Sequence, residues 1–248
     1  YAPERTPDSF AKYLLKKSFW KNKNNNDFND WQMDLDVILY GCQNKLMVLK
    51  IIQLIEKEKN NMNKIVRKVC LNPTVTLMEV EAPYVAKKAE PGQFIILRVD
   101  ENGERIPLTI ADYDREKGTI TIIFQIVGGS TIQLNYLEEG DYIHDFVGPL
   151  GVPTHTEGLK KVAVVGGGVG CAIAFPIAKK LHELGCEVHS IIGFRNKDLV
   201  ILEDEFNNVS DKCFLMTDDG SKGTKGVVTT PLKELIDLKQ ISQKEIQN

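Results

Sequence analysis

No stretch of this 248-residue chain approaches the roughly 20 consecutive apolar residues that span a bilayer, so no membrane-crossing helix is expected. Basic excess is missing too. Lys and Arg number 31 against 34 Asp and Glu, a formal net charge of −3 with no dense basic run. Nucleic acid is therefore not an expected partner. Cysteine is sparse: Cys42, Cys70, Cys171, Cys186 and Cys213 are scattered, odd in number and without C-x-x-C spacing. That pattern argues against a disulfide framework or a local metal knuckle. Such isolated cysteines are expected as small core residues, and a reducing cytoplasm is the expected home. His144, His155, His182 and His189 lack spacing such as H-x-x-x-H, and no Ser/His or His/Asp signature accompanies them. Each is expected as a surface or capping residue, and no metal site is expected.

The opening "YAPERTPDSF" has no basic head before an apolar core, so no secretory signal is expected. Met62 precedes strand-like sequence, which leaves open a natural start at Met62 or a fragment, and the end after "DLKQISQKEIQN" is equally open. What is present is a globular composition, 42% hydrophobic and 26% charged, long enough for one large or two ordinary domains.

Three segments differ in rhythm. Residues 1–61 hold the asparagine-rich "WKNKNNNDFND" and then apolar residues at Leu46, Leu49, Ile52 and Ile55, a helical spacing. They are expected as a helical, low-complexity appendage that is either native or a leader. Residues 62–157 carry short β-branched and aromatic runs punctuated by Gly92, Gly103, Gly118 and Gly140, the pattern of an antiparallel barrel or sandwich. A brief helix-like insert, "STIQLNYLEEG", interrupts them. Residues 158–248 alternate strand and helix, which predicts a parallel sheet with helices on its faces, closing on the helix "TTPLKELID".

Two glycine-rich loops stand out. The strand "VAVV" runs into Gly166, Gly167, Gly168, Val169 and Gly170 and then a helix. Such a loop brings backbone amides and a helix N-terminus to a pyrophosphate, or else is a structural turn. Cys171 stands where G-x-G-x-x-G has its third glycine. The next strand ends Gly193-Phe194-Arg195-Asn196, without an acidic residue for a ribose hydroxyl, so NAD and NADP are not separated. The second loop, Gly128, Gly129, Ser130 and Thr131, again precedes a short helix. Upstream, Arg105 is either a bidentate phosphate clamp or a solvated strand-end charge, with Thr109 four residues on.

With "PGQFIILR", "RIPLTIAD", "VGGSTIQL", "VGPLGVPT", "VVGGGVGCAIAFPIAKKL", "IIGFRNKDLVILEDEF" and "TDDGSKGTKGVVT" in that order, the chain from about Met62 to Leu235 resembles the ferredoxin–NADP reductase-like flavoproteins. The likeness extends to the alpha subunit of NADH-dependent ferredoxin:NADP oxidoreductase and to the dihydroorotate dehydrogenase electron-transfer subunit. It implies a flavin-binding antiparallel β-barrel followed by an α/β nucleotide-binding domain, with FAD and NAD(P) as cofactors. On it, Arg105, Pro107, Leu108 and Thr109 form the flavin motif, Arg105 facing the phosphates and Thr109 the ring, where hydride transfer takes place. The family's Arg-x-Tyr-Ser is here one residue longer and lacks the aromatic. Gly128–Thr131 would hold the flavin pyrophosphate and Gly166–Gly170 the nicotinamide dinucleotide. Arg195 would meet a ribose or phosphate; Asp218, Asp219 and Gly220 are either part of that site or a solvated turn. Relatives carry a [2Fe-2S] cluster, whose ligands are absent from this chain. The implied partners are ferredoxin and a larger redox subunit, glutamate synthase-like or dihydroorotate dehydrogenase-like. A non-catalytic nucleotide-binding redox sensor is the competing reading.

Overall fold

The structure, a computed structural model, describes residues 63–237 and the backbone of Ile246 and Gln247. The appendage expected over residues 1–61 lies outside them. The described residues belong to a compact unit spanning Asn63–Asn248.

The first seven strands are β1 (Asn63–Asn72), β2 (Val75–Glu81), β3 (Phe94–Arg98), β4 (Ile106–Asp114), β5 (Thr119–Gln125), β6 (Tyr142–Ile143) and β7 (Asp145–Leu150). They pair antiparallel in the order β6-β1-β2-β5-β4-β3-β7. "GDYIHDFVGPLG" reads as one strand in sequence. In the structure it divides at His144, β6 pairing with β1 and β7 with β3. The two ends of the sheet are thus one residue apart along the chain, so the sheet must curl round upon itself. The sheet thus approaches a barrel, with β6 and β7 as its two ends.

Side-chain alternation then decides what lies inside. Ile120, Ile122 and Phe124 of β5 join Ile95, Leu97 and Ile110 in the barrel core. Ile123 points the other way and is buried with Ala111 and Val75 against the second layer. This is why β5 reads as a nearly continuous apolar run rather than an alternating one. Two short helices decorate the barrel, α1 (Pro83–Ala86) and α2 (Gly129–Asn135). The first begins at Pro83, the last residue of the strand-like run "TVTLMEVEAP", because Pro83 cannot donate to a ladder but suits the first turn of a helix. At the end of α2, the Lys68 ammonium donates to the Asn135 carbonyl at 2.7 Å, satisfying an orphan acceptor.

The second layer comprises β8 (Lys161–Gly167), α3 (Cys171–Glu183), β9 (Glu187–Phe194), α4 (Glu203–Asn208), β10 (Lys212–Thr217), β11 (Thr224–Lys225), α5 (Thr229–Asp237) and β12 (Ile246–Gln247). Its parallel sheet is ordered β11-β10-β9-β8-β12. Strands β11 and β12 carry two residues each, too few for any sequence period. β12 corrects the expectation that the series closes on a helix, since it pairs with Ala163 and Val164 of β8. The segment "LVILEDEFNN" also differs from the single expected helix: a 3-10 turn covers Lys197–Leu199 and α4 begins only at Glu203.

His189 corrects the expectation of surface histidines. It is completely buried in β9, between Ala163 of β8 and Lys212 of β10. A parallel strand covered on both faces has no solvent side to offer. Among the described cysteines, Cys171 and Cys186 are buried as expected, Cys213 is half-buried and Cys70 is exposed.

Candidate functional site

The carboxyl edge of the parallel sheet gathers three loops. Strand β8 ends in the turn Gly168–Gly170, β9 ends ahead of Arg195, and β10 ends ahead of Asp218. In open α/β sheets this is the edge where ligands bind. Gly167 pairs with Gly193, so the loop at Gly168 rises beside the one carrying Arg195. Asp218 N–H donates to Phe194 O at 3.1 Å and Asp219 N–H to Arg195 O at 3.4 Å. Lys197 N–H donates to Ser221 Oγ at 2.8 Å. Arg195, Asp218, Asp219 and Gly220 are thereby drawn into one cluster beside Gly166–Gly170. The Asp219 carboxylate accepts from Ser221 N–H at 2.9 Å, and Ser221 holds it below the usual carboxylate range. That bond belongs to a solvated turn, with Gly220 at φ +77°.

The five residues from Gly166 to Gly170 have different physical reasons. A Cβ on Gly166 would stand 3.1 Å from both Cα and Sγ of Cys171 and 3.2 Å from Cβ of Ala174. Gly166 therefore lets α3 approach β8, which is how Cys171 fits at the third position of the glycine pattern. Burial pushes its thiol up to about 12. Gly168 lies at φ +53°, a region that L side chains disfavour. Val169 packs its side chain against the core, so its backbone alone is free to meet a ligand. Gly170 has φ −61°, and a Cβ added to it would meet nothing within 4 Å. Neither packing nor backbone strain requires a glycine there.

The barrel loop repeats this. Gly128 is extended at φ −144°, and Cβ atoms at Gly128 or Gly129 would meet nothing within 4 Å. The hydroxyls expected to face a ligand are already engaged. Thr131 Oγ1 accepts from Val127 N–H at 3.1 Å and Gly128 N–H at 3.0 Å, and donates to Gly128 O at 3.0 Å. Ser130 Oγ donates to Glu104 Oε2 at 3.3 Å. Thr131 thus shapes the loop, and Ser130 ties it to the chain entering β4.

That entry carries Arg105. Ile106 and Leu108 pack against the barrel core, which leaves Arg105, Pro107 and Thr109 together on the other side. The extra residue relative to Arg-x-Tyr-Ser lengthens the separation between arginine and hydroxyl from three to four, an even number, so both share a face. Thr109 is half-buried in register with Phe94. Arg105 is 64% exposed, 3.3 Å from Asp145 Oδ2, and Arg98 Nε stands 2.7 Å from the same oxygen. Asp145 lies outside the motifs quoted above and Arg98 ends one of them, "PGQFIILR"; β3 and β7 bring the two together only when paired.

Strand β5 contacts the Gly168–Gly170 turn, and Gly128 follows the end of β5 by three residues, at most about 11 Å of chain. Open space at Gly128, Gly129 and Gly170 leaves the backbone there free to be approached closely, as a phosphate-bearing group requires. The donor set agrees: backbone amides, a helix start and Arg105 are groups that hold pyrophosphate. Among the described residues, no group of three or more His, Cys, Asp and Glu is placed to hold a metal ion. No helix among them is long and apolar enough to cross a membrane.

No family model matches the chain. It is 47% identical over 174 residues to a homolog of the dihydroorotate dehydrogenase B (NAD(+)) electron transfer subunit from Thermotoga maritima, covering 70% of this chain and 61% of that protein. It is 34% identical over 177 residues to the electron transfer subunit of that enzyme from Streptococcus pneumoniae, covering 69% of this chain and 70% of the relative. A solved structure of an NADH-dependent reduced ferredoxin–NADP oxidoreductase, described in connection with flavin-based electron bifurcation, matches with a TM-score of 0.67 and 44% identity. That match covers 71% of this chain and 63% of the solved one. The chain therefore spans about three fifths of the length of the Thermotoga relative and of the solved chain.

Proposed function

The chain belongs to the ferredoxin–NADP reductase-like flavoproteins, the oxidoreductase family of the dihydroorotate dehydrogenase B electron transfer subunits, and from that premise we propose that it passes electrons between NAD(P)H and a partner redox protein through FAD. The observation that carries this reading is the pair of open glycine loops, one following β5 and the other in a turn that β5 contacts. At Gly128, Gly129 and Gly170 the fold would accept a side chain and the chain nonetheless has none.

In this reading Gly128 and Gly129 admit the flavin pyrophosphate, Thr131 holds their loop in shape, and Arg105 supplies positive charge from the outward side of β4. Thr109, on the same side, lines the ring. Gly166–Gly170 with the start of α3 receives the nicotinamide dinucleotide, whose outer end faces Arg195 and the turn Asp218–Gly220. FAD, when bound, accepts a hydride and can release its two electrons singly, which links a two-electron donor to a one-electron acceptor. The residues bind and orient; no acid–base dyad is needed for that chemistry. The acceptor is a larger iron–sulfur or flavin subunit, glutamate synthase-like, with ferredoxin beyond it. The relatives' names favour dihydroorotate dehydrogenase as a second choice of partner, and copurification distinguishes the two.

The test is spectroscopic. Purified protein is expected to carry flavin absorbance that bleaches when NADH or NADPH is added without oxygen. Colourless protein that binds nucleotide supports the redox sensor instead.

A further inference from the structure

Helix α3 is shared by both layers. Its first residue abuts the Gly168–Gly170 turn, and its buried residues pack in one cluster with Val75, Ala111 and Ile123 of the barrel. Apolar contact of this kind resists separation but is non-directional, so it resists rotation poorly. Eight residues beyond Cys171, about 12 Å along the axis, Lys179 Nζ donates to both carboxylate oxygens of Asp112 in β4, at 2.7 and 2.8 Å. Both side chains are about one-third exposed. The pair lines a cavity of about 500 Å³ that also includes Glu79, Thr121, Lys180 and Glu183. The cavity lies beside the contact of α3 with β4, and the Lys179–Asp112 pair is the directional polar link across it. A tilt of about 10° pivoting at Lys179 would carry the first turn of α3 about 2 Å. Transfer between bound groups is sensitive to displacements of about 1 Å.

We propose that the Lys179–Asp112 ion pair is a positioning element that fixes the tilt of α3 on the barrel and so the spacing of the two glycine loops. The functional consequence rests on the reading of those loops given above. A partly exposed pair biases an equilibrium by no more than about five-fold, which sets the size of the effect. Lys179→Met and Asp112→Asn are expected to fold, to retain flavin, and to show flavin reduction about three- to five-fold slower at saturating NADH with little change in KM. Lys179→Arg keeps the wild-type rate, and the exchange Asp112→Lys with Lys179→Asp recovers it in part.

An orientation readout that needs no cofactor accompanies the kinetics. Spin labels at Tyr136→Cys in the barrel and Val227→Cys beyond β11, two exposed sites, go into a background of Cys42→Ser and Cys70→Ser. Their distance distribution is expected to broaden in the broken-pair variants and to stay narrow with Lys179→Arg. An unchanged distribution overturns the proposal, as does a broadened one with an unaltered rate. Should the wild type bind no flavin, the cofactor reading fails, while the distance measurement still decides the pair.

Discussion

Replacing Gly170 by alanine separates a glycine kept for the fold from one kept for a ligand. Gly170 has helical backbone angles, φ −61° and ψ −18°, and its Cβ position is open to 4 Å. Alanine there restricts the unfolded chain without strain in the folded one, a gain of about 0.4–1 kcal/mol. For a unit of this size that raises the midpoint of thermal unfolding by about 1–4 °C. The same methyl group occupies the space through which a pyrophosphate would reach the backbone amides. Losing one hydrogen bond to a charged group costs about 1.5–3 kcal/mol, which is roughly a 10- to 100-fold weaker dinucleotide complex. Thermal unfolding without nucleotide and calorimetric titration with NADH and NADPH read the two effects independently. A variant that is more stable and binds poorly agrees with the argument. One that binds both dinucleotides with unaltered Kd refutes it, and one that loses stability refutes the structural premise.

The neighbouring glycine should behave oppositely: Gly166→Ala places a methyl 3.1 Å from Cys171 Cα, and the crowding is expected to cost about 1–3 kcal/mol in denaturant unfolding. Thr131→Val removes the oxygen that accepts from Val127 and Gly128; flavin content of the purified protein should fall, while Thr131→Ser retains it. His189 is held below its ordinary pKa by burial, against the opposing pull of Glu187. The unfolded chain therefore binds its proton first, and the stability associated with neutral His189 is complete above about pH 6.5 and is lost as pH falls below it. Urea midpoints between pH 8 and 5 should decline in the wild type and less so in His189→Gln. Among the described cysteines, exposed Cys70 is expected to react with a thiol reagent in the native state, and Cys171, whose thiol is raised to about 12, only after unfolding.

Much of the chain's organisation is local and therefore readable. β-Branched runs between glycines, then strands alternating with helices, predicted an antiparallel barrel or sandwich followed by a parallel sheet, because these periods record which faces are buried. The two glycine loops were visible for the same reason, as was the order of motifs that placed the chain in its family. Tertiary structure alone decided the rest. His144 joins opposite ends of one sheet, a consequence of the sheet's curl that no window of residues contains. Two-residue strands such as β12 are defined by the neighbour they pair with and have no period of their own. His189 is buried by strands 26 and 23 residues away in sequence, and the Asp145 cluster and the Lys179–Asp112 pair likewise join distant segments. Within a single run of glycines, packing accounts for Gly166, backbone conformation for Gly168, and neither for Gly170. Residue type was legible in the sequence, but the reason for it depends on the atoms that surround each Cα once the chain has folded.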